Sequence, residues 1–190
     1  MKRAVILHGT SGNPSINWLP WVRAQLEDEG YEVWVPQLPD ADYPNRFTYD
    51  EFLKSADWDF TDNLLIGHSS GATTILNLMS TDWFPHIKTA VLVGAFLNEN
   101  LTKKTDWYEQ GQFDNLFPSE GFDAERLSTK ADRFYFLHGD NDPYCELEPA
   151  QQLSDKVNGT LVVIPGGKHL SSNRKEIPEI IDVLKKNNDL

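Results

Sequence analysis

Cysteine and long hydrophobic runs are scarce in this sequence of 190 residues. The single cysteine, Cys145, excludes an internal disulfide framework and is typical of a reducing compartment. No apolar run approaches the roughly 20 residues that span a bilayer, and the apolar stretch before His8 is too brief for a secretory signal. These shortages predict a soluble, cytoplasmic protein that does not enter a membrane.

Positive charge is also in short supply, because 17 lysine and arginine residues face 29 aspartate and glutamate residues. The formal net charge of −12 disfavours nucleic acid and anionic membrane surfaces as partners, but it does not identify a substrate. A chain of this length is expected to form one domain, residues 1–190, around its own hydrophobic core.

Sequence motifs for metals and nucleotides are missing as well. Neither H-E-x-x-H nor C-x-x-C occurs, and the glycine patterns of dinucleotide sites and P-loops are absent. Asp140 and Asp142 have the spacing of a calcium loop, but its sixth position lacks glycine and Pro143 interrupts the loop. We therefore predict no metal and no cofactor.

The sequence does contain a regular alternation of two kinds of segment. Six short, nearly continuous apolar runs are typical of strands buried on both faces, as in a parallel sheet. The runs are RAVILHG, YEVWVPQ, NLLIGH, KTAVLVGAF, RFYFLHGD and TLVVIPGG, and the helix-compatible segments are NWLPWVRAQLEDEG, TYDEFLKSA, GATTILNLMS, EPAQQLSDKV and EIPEIIDVLKK. This pattern predicts a single α/β domain with about six mainly parallel strands and helices on both faces.

Residues 98–130 interrupt the alternation and mix aromatic with acidic side chains. Long connections of this kind form functional lids or binding loops, or they cover the edge of a sheet. We favour a lid-like insertion that forms one wall of a pocket, because the flanking strands end near the predicted site. Its aromatic side chains are then candidates for substrate contact, namely Trp107, Tyr108, Phe113 and Phe117.

A G-x-S-x-G motif centred on Ser69 follows one predicted strand and precedes a predicted helix. In that strand–turn–helix setting, Gly67 and Gly71 allow the two backbones to approach closely, and the turn exposes the serine hydroxyl at the edge of the sheet. The serine also lies at a helix N-terminus, where N–H groups favour developing negative charge. We therefore predict that Ser69 is a nucleophile.

A nucleophilic serine needs a base that is oriented by a carboxylate, and in this kind of fold the chain order is Ser, Asp or Glu, then His. Among the five histidines, only His169 follows the candidate acids. It lies in a glycine-rich segment after the last predicted strand. Asp142, at the end of the fifth predicted strand, is preferred as the acid over Asp140, which is expected to stabilise the turn.

Two backbone N–H groups are predicted to form an oxyanion hole. One belongs to Ser70, which follows the predicted nucleophile, and the other to Thr10, in the loop after the first strand. If the first strand is central, the strand order is 2-1-3-4-5-6 and both residues lie at the crevice where open α/β sheets bind ligands.

Several segments together resemble the α/β-hydrolases, and specifically the small serine hydrolases of the retinoblastoma-binding protein nine and YdeN-like group. They are AVILHGT, NWLPWV, GHSSGA, YEQGQFD, GDNDP and GGKHL, spread over nearly the whole chain. The resemblance implies a reduced α/β-hydrolase fold and the same three residues, Ser69, Asp142 and His169, as a catalytic triad. The group often carries leucine where this chain has Ser70.

The sequence thus predicts a serine hydrolase that cleaves a small ester, thioester or amide through an acyl-enzyme on Ser69. Two alternatives stay open at this point. One is a catalytically silent module that binds a protein partner on the same scaffold, and the other is an acyltransferase.

Overall fold

A computed structural model describes all 190 residues, and strands alternate with helices along the chain. The strands are β1 (Lys2–Leu7), β2 (Tyr31–Trp34), β3 (Leu64–His68), β4 (Ile87–Val93), β5 (Ala131–Gly139) and β6 (Thr160–Ile164). The helices are α1 (Leu19–Asp28), α2 (Arg46–Lys54), α3 (Ser70–Met79), α4 (Ala124–Ser128), α5 (Leu147–Lys156) and α6 (Pro178–Lys186). Every strand and helix predicted from the sequence is present, and α4 is an additional short helix within residues 98–130.

The six strands form one sheet in the order β2-β1-β3-β4-β5-β6, which confirms the predicted order. Every pair of neighbouring strands is parallel, so the sheet is wholly rather than mainly parallel. The order reverses direction at β1, because β2 lies on one side of it and β3 on the other. The carboxyl ends of β1 and β3 therefore border the crevice in which open α/β sheets bind ligands.

Helices cover both faces of the sheet, and each face has its own hydrophobic core. Successive residues of β1 alternate between the two cores: Val5 and Leu7 lie in one, and Ala4 and Ile6 in the other. The first core also contains residues of α2, α3, α4 and α5, and the second contains residues of α1 and α6. The strands thus carry apolar side chains on both faces, which explains their nearly continuous apolar runs.

Local signals account for where several helices begin. The Asn45 side chain accepts hydrogen bonds from the backbone N–H groups of Phe47 and Thr48 at the start of α2. Asp123 caps α4 in the same manner through the N–H of Arg126. No helix combines the length and apolar character that a membrane span requires.

Residues 98–130 contain a single 3-10 turn, Thr102–Lys104, and the helix α4. Hydrogen bonds attach this segment to the rest of the domain. The Gln112 side chain donates to the Asp42 carbonyl oxygen at 2.8 Å, and the Asn77 side chain on α3 donates to the Leu116 carbonyl oxygen at 2.8 Å. The segment is therefore fixed to the neighbouring loop and to α3 at two separate points.

Candidate active site

The four loops that follow β1, β3, β5 and β6 meet at the carboxyl edge of the sheet. They carry Thr10, Ser69, Asp142 and His169 respectively. Parallel strands end at the same edge, so residues up to 159 positions apart in the chain are brought together there. The residues predicted from the sequence to act in catalysis all lie in these four loops, except Ser70, which is the first residue of α3.

Ser69 occupies the sharp turn between β3 and α3, with a backbone φ of 55° and ψ of −123°. Positive φ is unusual for a residue with a side chain, and it turns the hydroxyl away from the strand direction. The flanking glycines are needed for space: a Cβ at Gly67 would lie 2.6 Å from the Ala72 backbone, and one at Gly71 would collide with the Leu7 carbonyl oxygen. The turn can form only because both positions lack a side chain.

Ser69, His169 and Asp142 are joined by a continuous chain of hydrogen bonds. The Ser69 hydroxyl donates to Nε2 of His169 at 2.9 Å, and Nδ1–H of His169 donates to a carboxylate oxygen of Asp142 at 2.8 Å. The Ser69 and His169 residues are both only 8% exposed. These contacts match the geometry in which an imidazole can take a proton from a serine while a carboxylate orients the ring.

Asp142 is held as an ionised, hydrogen-bonded carboxylate. Its second oxygen accepts the backbone N–H groups of Tyr144 at 2.8 Å and Cys145 at 3.0 Å. Burial opposes ionisation, but the hydrogen bond and charge of His169 and the two N–H groups outweigh it, so the pKa of Asp142 lies below its usual value. The carboxylate can therefore hold Nδ1–H of the imidazole throughout the neutral pH range.

Thr10 and Ser70 face each other across the crevice. The Thr10 hydroxyl donates to the Ser70 hydroxyl oxygen at 3.0 Å, a contact that the sequence did not predict. The backbone N–H of Thr10 donates to no other backbone group, and the N–H of Ser70 begins α3 and has no partner within the helix. Both N–H groups thus remain available to a ligand.

The loop that carries His169 is anchored by side chains from other strands. Nε2–H of His68 donates to the His169 carbonyl oxygen at 2.9 Å, and the Trp18 indole N–H donates to the Leu170 carbonyl oxygen at 2.8 Å. Burial, and then the nearby His169 ring, lower the pKa of His68 to about 3, so that this imidazole stays neutral. Both contacts join residues more than 100 positions apart, so no local sequence pattern indicated them.

Asp140 differs from the sequence-based expectation. We expected it to stabilise its own turn, whereas its carboxylate accepts the N–H of Gly166 at 2.8 Å. The neighbouring Asn141 side chain accepts the N–H of Lys168 at 2.8 Å. The loop after β5 therefore holds the backbone of the loop after β6, and these two loops supply Asp142 and His169. No local pattern could indicate such contacts, because each joins residues more than 25 positions apart.

A cavity of about 560 Å³ opens beside Ser69 and His169. Of the four aromatic residues predicted to contact substrate, Trp107 and Phe113 line this cavity. Tyr108 and Phe117 are not among the lining residues and instead pack against a small cluster that contains Phe113. The sequence also gave no indication of several polar lining residues, which are Ser11, Asn17, Asp42, Tyr43, Glu109, Gln112, Tyr144, Ser171 and Ser172.

Cys145 is buried against this constellation and is only 4% exposed. Its sulfur lies 3.7 Å from Nδ1 of His169 and 3.6 Å from the Gly94 carbonyl oxygen. Burial, and then the charge of Asp142, raise the pKa of the Cys145 thiol, which disfavours a nucleophilic role. Asp142, Cys145 and His169 also form a group of side chains that could ligate a metal ion, and two of them, Asp142 and His169, belong to the hydrogen-bond chain described above.

A parallel sheet of order 2-1-3-4-5-6, with a serine on a sharp strand-to-helix turn beside the crevice, defines an α/β-hydrolase. The family model described as "Serine hydrolase" matches residues 4–186, and the chain belongs to this family.

Two relatives match nearly the full length of the chain. The serine hydrolase RBBP9 of Rattus norvegicus is 22% identical, with 96% of this chain and 94% of the relative covered. The YdeN protein of Bacillus subtilis is 20% identical with the same coverage. The crystal structure of the B. subtilis ydeN gene product has a TM-score of 0.86 at 18% identity and covers 100% of both chains.

Est1E from Butyrivibrio proteoclasticus, in a structure with bound ferulic acid, has a TM-score of 0.72 at 14% identity. The alignment covers 99% of this chain and 88% of Est1E. At these identities the structural likenesses concern the fold.

Proposed function

We propose that this protein hydrolyses a small ester, thioester or amide through an acyl-enzyme formed on Ser69. The observation that carries the proposal is the hydrogen-bond chain from Ser69 through His169 to Asp142, at the mouth of a 560 Å³ cavity. Membership of the serine hydrolase family supports hydrolysis as the reaction class. In the proposed catalytic domain, residues 98–130 act as the lid-like wall of the substrate pocket.

In the first half of the reaction, the Ser69 oxygen attacks the substrate carbonyl carbon while its proton moves to Nε2 of His169. Asp142 stabilises the resulting imidazolium through Nδ1–H. The N–H groups of Thr10 and Ser70 hold the oxyanion. Each such donor typically stabilises the transition state by about 2.7–4 kcal/mol. His169 then returns the proton to the leaving alcohol, thiol or amine, and the acyl group stays on Ser69.

In the second half, water takes the place of the leaving group. His169 accepts a proton from this water as its oxygen attacks the acyl carbonyl, and the collapse of the intermediate returns that proton to Ser69. A carboxylic acid is released and the starting state is restored. An amine or alcohol that replaced water would produce the acyl-transfer reaction, which the same groups can carry out.

The cavity suggests which substrates fit. Trp107, Phe113 and Tyr144 provide aromatic surface, while Asp42 and Glu109 contribute carboxylates, and no lysine or arginine lines the walls. An uncharged acyl group is therefore favoured over an anionic one. The ferulic acid bound to Est1E, an aromatic acid, supports testing aromatic acyl esters among the first substrates.

A fluorophosphonate probe, which reacts covalently with activated serines, tests the proposal directly. We expect stoichiometric labelling of the wild type and loss of labelling in Ser69→Ala and His169→Ala. Ser172→Ala is the matched control, because Ser172 lines the same cavity but is exposed and lies outside the hydrogen-bond chain. A folded wild-type protein that resists the probe would contradict the proposal and favour a non-catalytic interaction module.

A further inference from the structure

A group of three metal-ligating side chains lies on the side of the His169 ring that faces away from Ser69. We call it the Nδ1 cluster; it consists of Asp142, Cys145 and His169. The His169 Nδ1 atom is 2.8 Å from the Asp142 carboxylate and 3.7 Å from the Cys145 sulfur. All three ligand atoms lie within 4.8 Å of one another, and all three residues are buried.

The size of the cluster matches a zinc ion. If the longest separation is 4.8 Å, a point exists at about half that distance, 2.4 Å, from each ligand atom. Zinc bonds to imidazole nitrogen and carboxylate oxygen are about 2.0–2.2 Å long, and those to thiolate sulfur are about 2.3 Å. In a tetrahedral zinc site the ligand atoms lie about 3.3–3.6 Å apart. Binding therefore requires the carboxylate oxygen to move about 0.5 Å away from Nδ1 and up to about 1.3 Å closer to the sulfur, with a water molecule as the fourth ligand.

The charge of the cluster also suits a divalent cation. Carboxylate and thiolate together carry two negative charges, which neutralise Zn²⁺ where an unpaired charge would be strongly unfavourable. Nitrogen, oxygen and sulfur donors are the ligands that zinc prefers, and the sulfur disfavours calcium and magnesium. The sequence analysis predicted no metal, because it found no metal-binding motif, and the cluster departs from that prediction.

We propose that the Nδ1 cluster is an inhibitory binding site for zinc or a similar thiophilic divalent cation. In the metal-free protein, the proton on Nδ1 of His169 bridges to Asp142 and the thiol keeps its own proton. Binding forms bonds from the metal to Nδ1, to the carboxylate oxygen and to sulfur. The Nδ1 proton moves to Nε2, and the thiol proton is released to solvent.

The relocation of one proton explains inhibition. A neutral imidazole that binds a metal through Nδ1 carries its hydrogen on Nε2, the nitrogen that must accept the Ser69 proton. Metal binding also separates the His169 ring from the Asp142 oxygen that orients it. The inhibitory consequence rests on the proposed function, whereas the binding itself depends only on the three ligand atoms.

The surroundings hold the ligands and restrict access. Nε2–H of His138 donates to the Cys145 carbonyl oxygen at 3.1 Å, which fixes the backbone of the sulfur ligand. His169 is the only member of the cluster that lines the large cavity, where its ring packs against that of Tyr144. An ion must displace the His169 ring to pass, so we expect binding to develop slowly after mixing.

Cobalt(II) provides a test that does not require catalysis, because thiolate coordination produces a charge-transfer absorption band. We expect one Co²⁺ per chain with this band in the wild type, displaced by one equivalent of Zn²⁺. Cys145→Ala should lose the band and bind Zn²⁺ at least tenfold more weakly, since even the loss of an outer-shell partner weakens binding by about 10- to 100-fold. His86→Ala controls for the exposed His86–Asp132 pair at the surface.

The inhibition arm compares each variant with its own metal-free rate, on whichever ester the wild type hydrolyses. Zn²⁺ should inhibit the wild type and His86→Ala with slow onset, and Cys145→Ala should need at least tenfold more metal. Equal inhibition of the wild type and Cys145→Ala, or a cobalt complex without the thiolate band, would overturn the proposal. If the protein had no hydrolase activity but its Co²⁺ complex still showed the thiolate band, the proposed function would be refuted and the proposed metal site would be supported.

Discussion

Ser69 combines an unfavourable backbone conformation with a side chain that is hydrogen-bonded to His169. A non-glycine residue at φ 55° and ψ −123° costs about 1–3 kcal/mol, so the surrounding structure must impose this geometry. Close packing at Gly67 and Gly71 and the hydrogen bond to His169 provide that constraint. Strain is thus concentrated at the residue that the proposed reaction requires to stand clear of the sheet.

The hydroxyl contact between Thr10 and Ser70 yields a prediction at the residue scale. Because this bond ties the β1 loop to the start of α3, it is expected to fix the spacing of the two proposed oxyanion donors. Thr10→Val and Ser70→Ala should each lower kcat roughly fivefold, with little change in KM. The double variant should lose hardly more than either single one, with a coupling of about 1 kcal/mol.

Steady-state kinetics of the four proteins measures that coupling. Thr129→Val is the matched control, because the Thr129 hydroxyl donates to a nearby carbonyl on α4, away from the cavity. Strictly additive losses in the double variant would show that the two hydroxyl groups act independently, and the proposed positioning role would then be wrong.

At the scale of elements, the loops that follow the strands are held in place by hydrogen bonds to one another and to neighbouring strands. Asp140 and Asn141 bind the loop after β6, and His68 on β3 binds the same loop from the other side. Residues 98–130 are attached in a comparable way to α3 and to the residues before α2. The cavity is consequently walled by a segment with defined anchor points.

One of these anchors can be removed without touching the proposed catalytic groups. Asn77→Ala deletes the side chain that donates to the Leu116 carbonyl oxygen, next to the wall residue Phe113. An unpartnered buried carbonyl costs about 1–3 kcal/mol, which favours displacement of the wall. We expect KM to rise several-fold, while kcat and the rate of fluorophosphonate labelling change less than twofold.

Asn187→Ala is the matched control for this change. Asn187 is also part-buried and its side chain also donates to a backbone carbonyl oxygen, that of Val183, but it lies at the end of α6. If both asparagine variants kept the wild-type KM, the interpretation of residues 98–130 as a structured pocket wall would be wrong. A fall in labelling for Asn77→Ala alone would instead place its effect on the Ser69 turn.

For the whole molecule, periodicity and topology were readable from the sequence, whereas contacts between loops were not. Nearly continuous apolar runs predicted buried parallel strands, and the strand order followed from placing the first strand at the centre of the sheet. The short helix α4 was not predicted, because its five residues are too few for a clear period. The roles assigned to Ser69, Asp142 and His169 stay predictions, although the structure brings their side chains into hydrogen-bond contact.

The sequence could not predict which residues of 98–130 line the cavity. The composition of residues 98–130 indicated an aromatic surface, but composition could not separate Trp107, which lines the cavity, from Tyr108, which does not. That distinction depends on the path of an irregular segment with no repeating pattern. His68, Trp18 and Asp140 were missed for a related reason, since each acts on a loop that is distant in the chain.

Three buried histidines at strand ends shape the pH dependence of stability. His8 follows β1, His68 ends β3 and His138 is the penultimate residue of β5. Burial is the largest cause of the lowered pKa of each. In the unfolded chain these imidazoles take a proton near pH 6.5, while in the folded state they stay neutral to lower pH. The unfolded state therefore binds more protons below pH 6.5, and stability falls as pH falls.

Urea unfolding at pH 7 and pH 5 measures this effect for His68, whose pKa is lowered to about 3. His68 alone should account for about 2 kcal/mol of the fall in unfolding free energy between these pH values. His68→Gln keeps a side-chain N–H donor but cannot titrate, so its stability should fall by that much less. The carboxyl of Asp142 does not contribute here, because its lowered pKa confines its effect to pH below about 3.8. Exposed His86→Gln should follow the wild type, and parallel curves for wild type and His68→Gln would mean that folded His68 already takes a proton above pH 5.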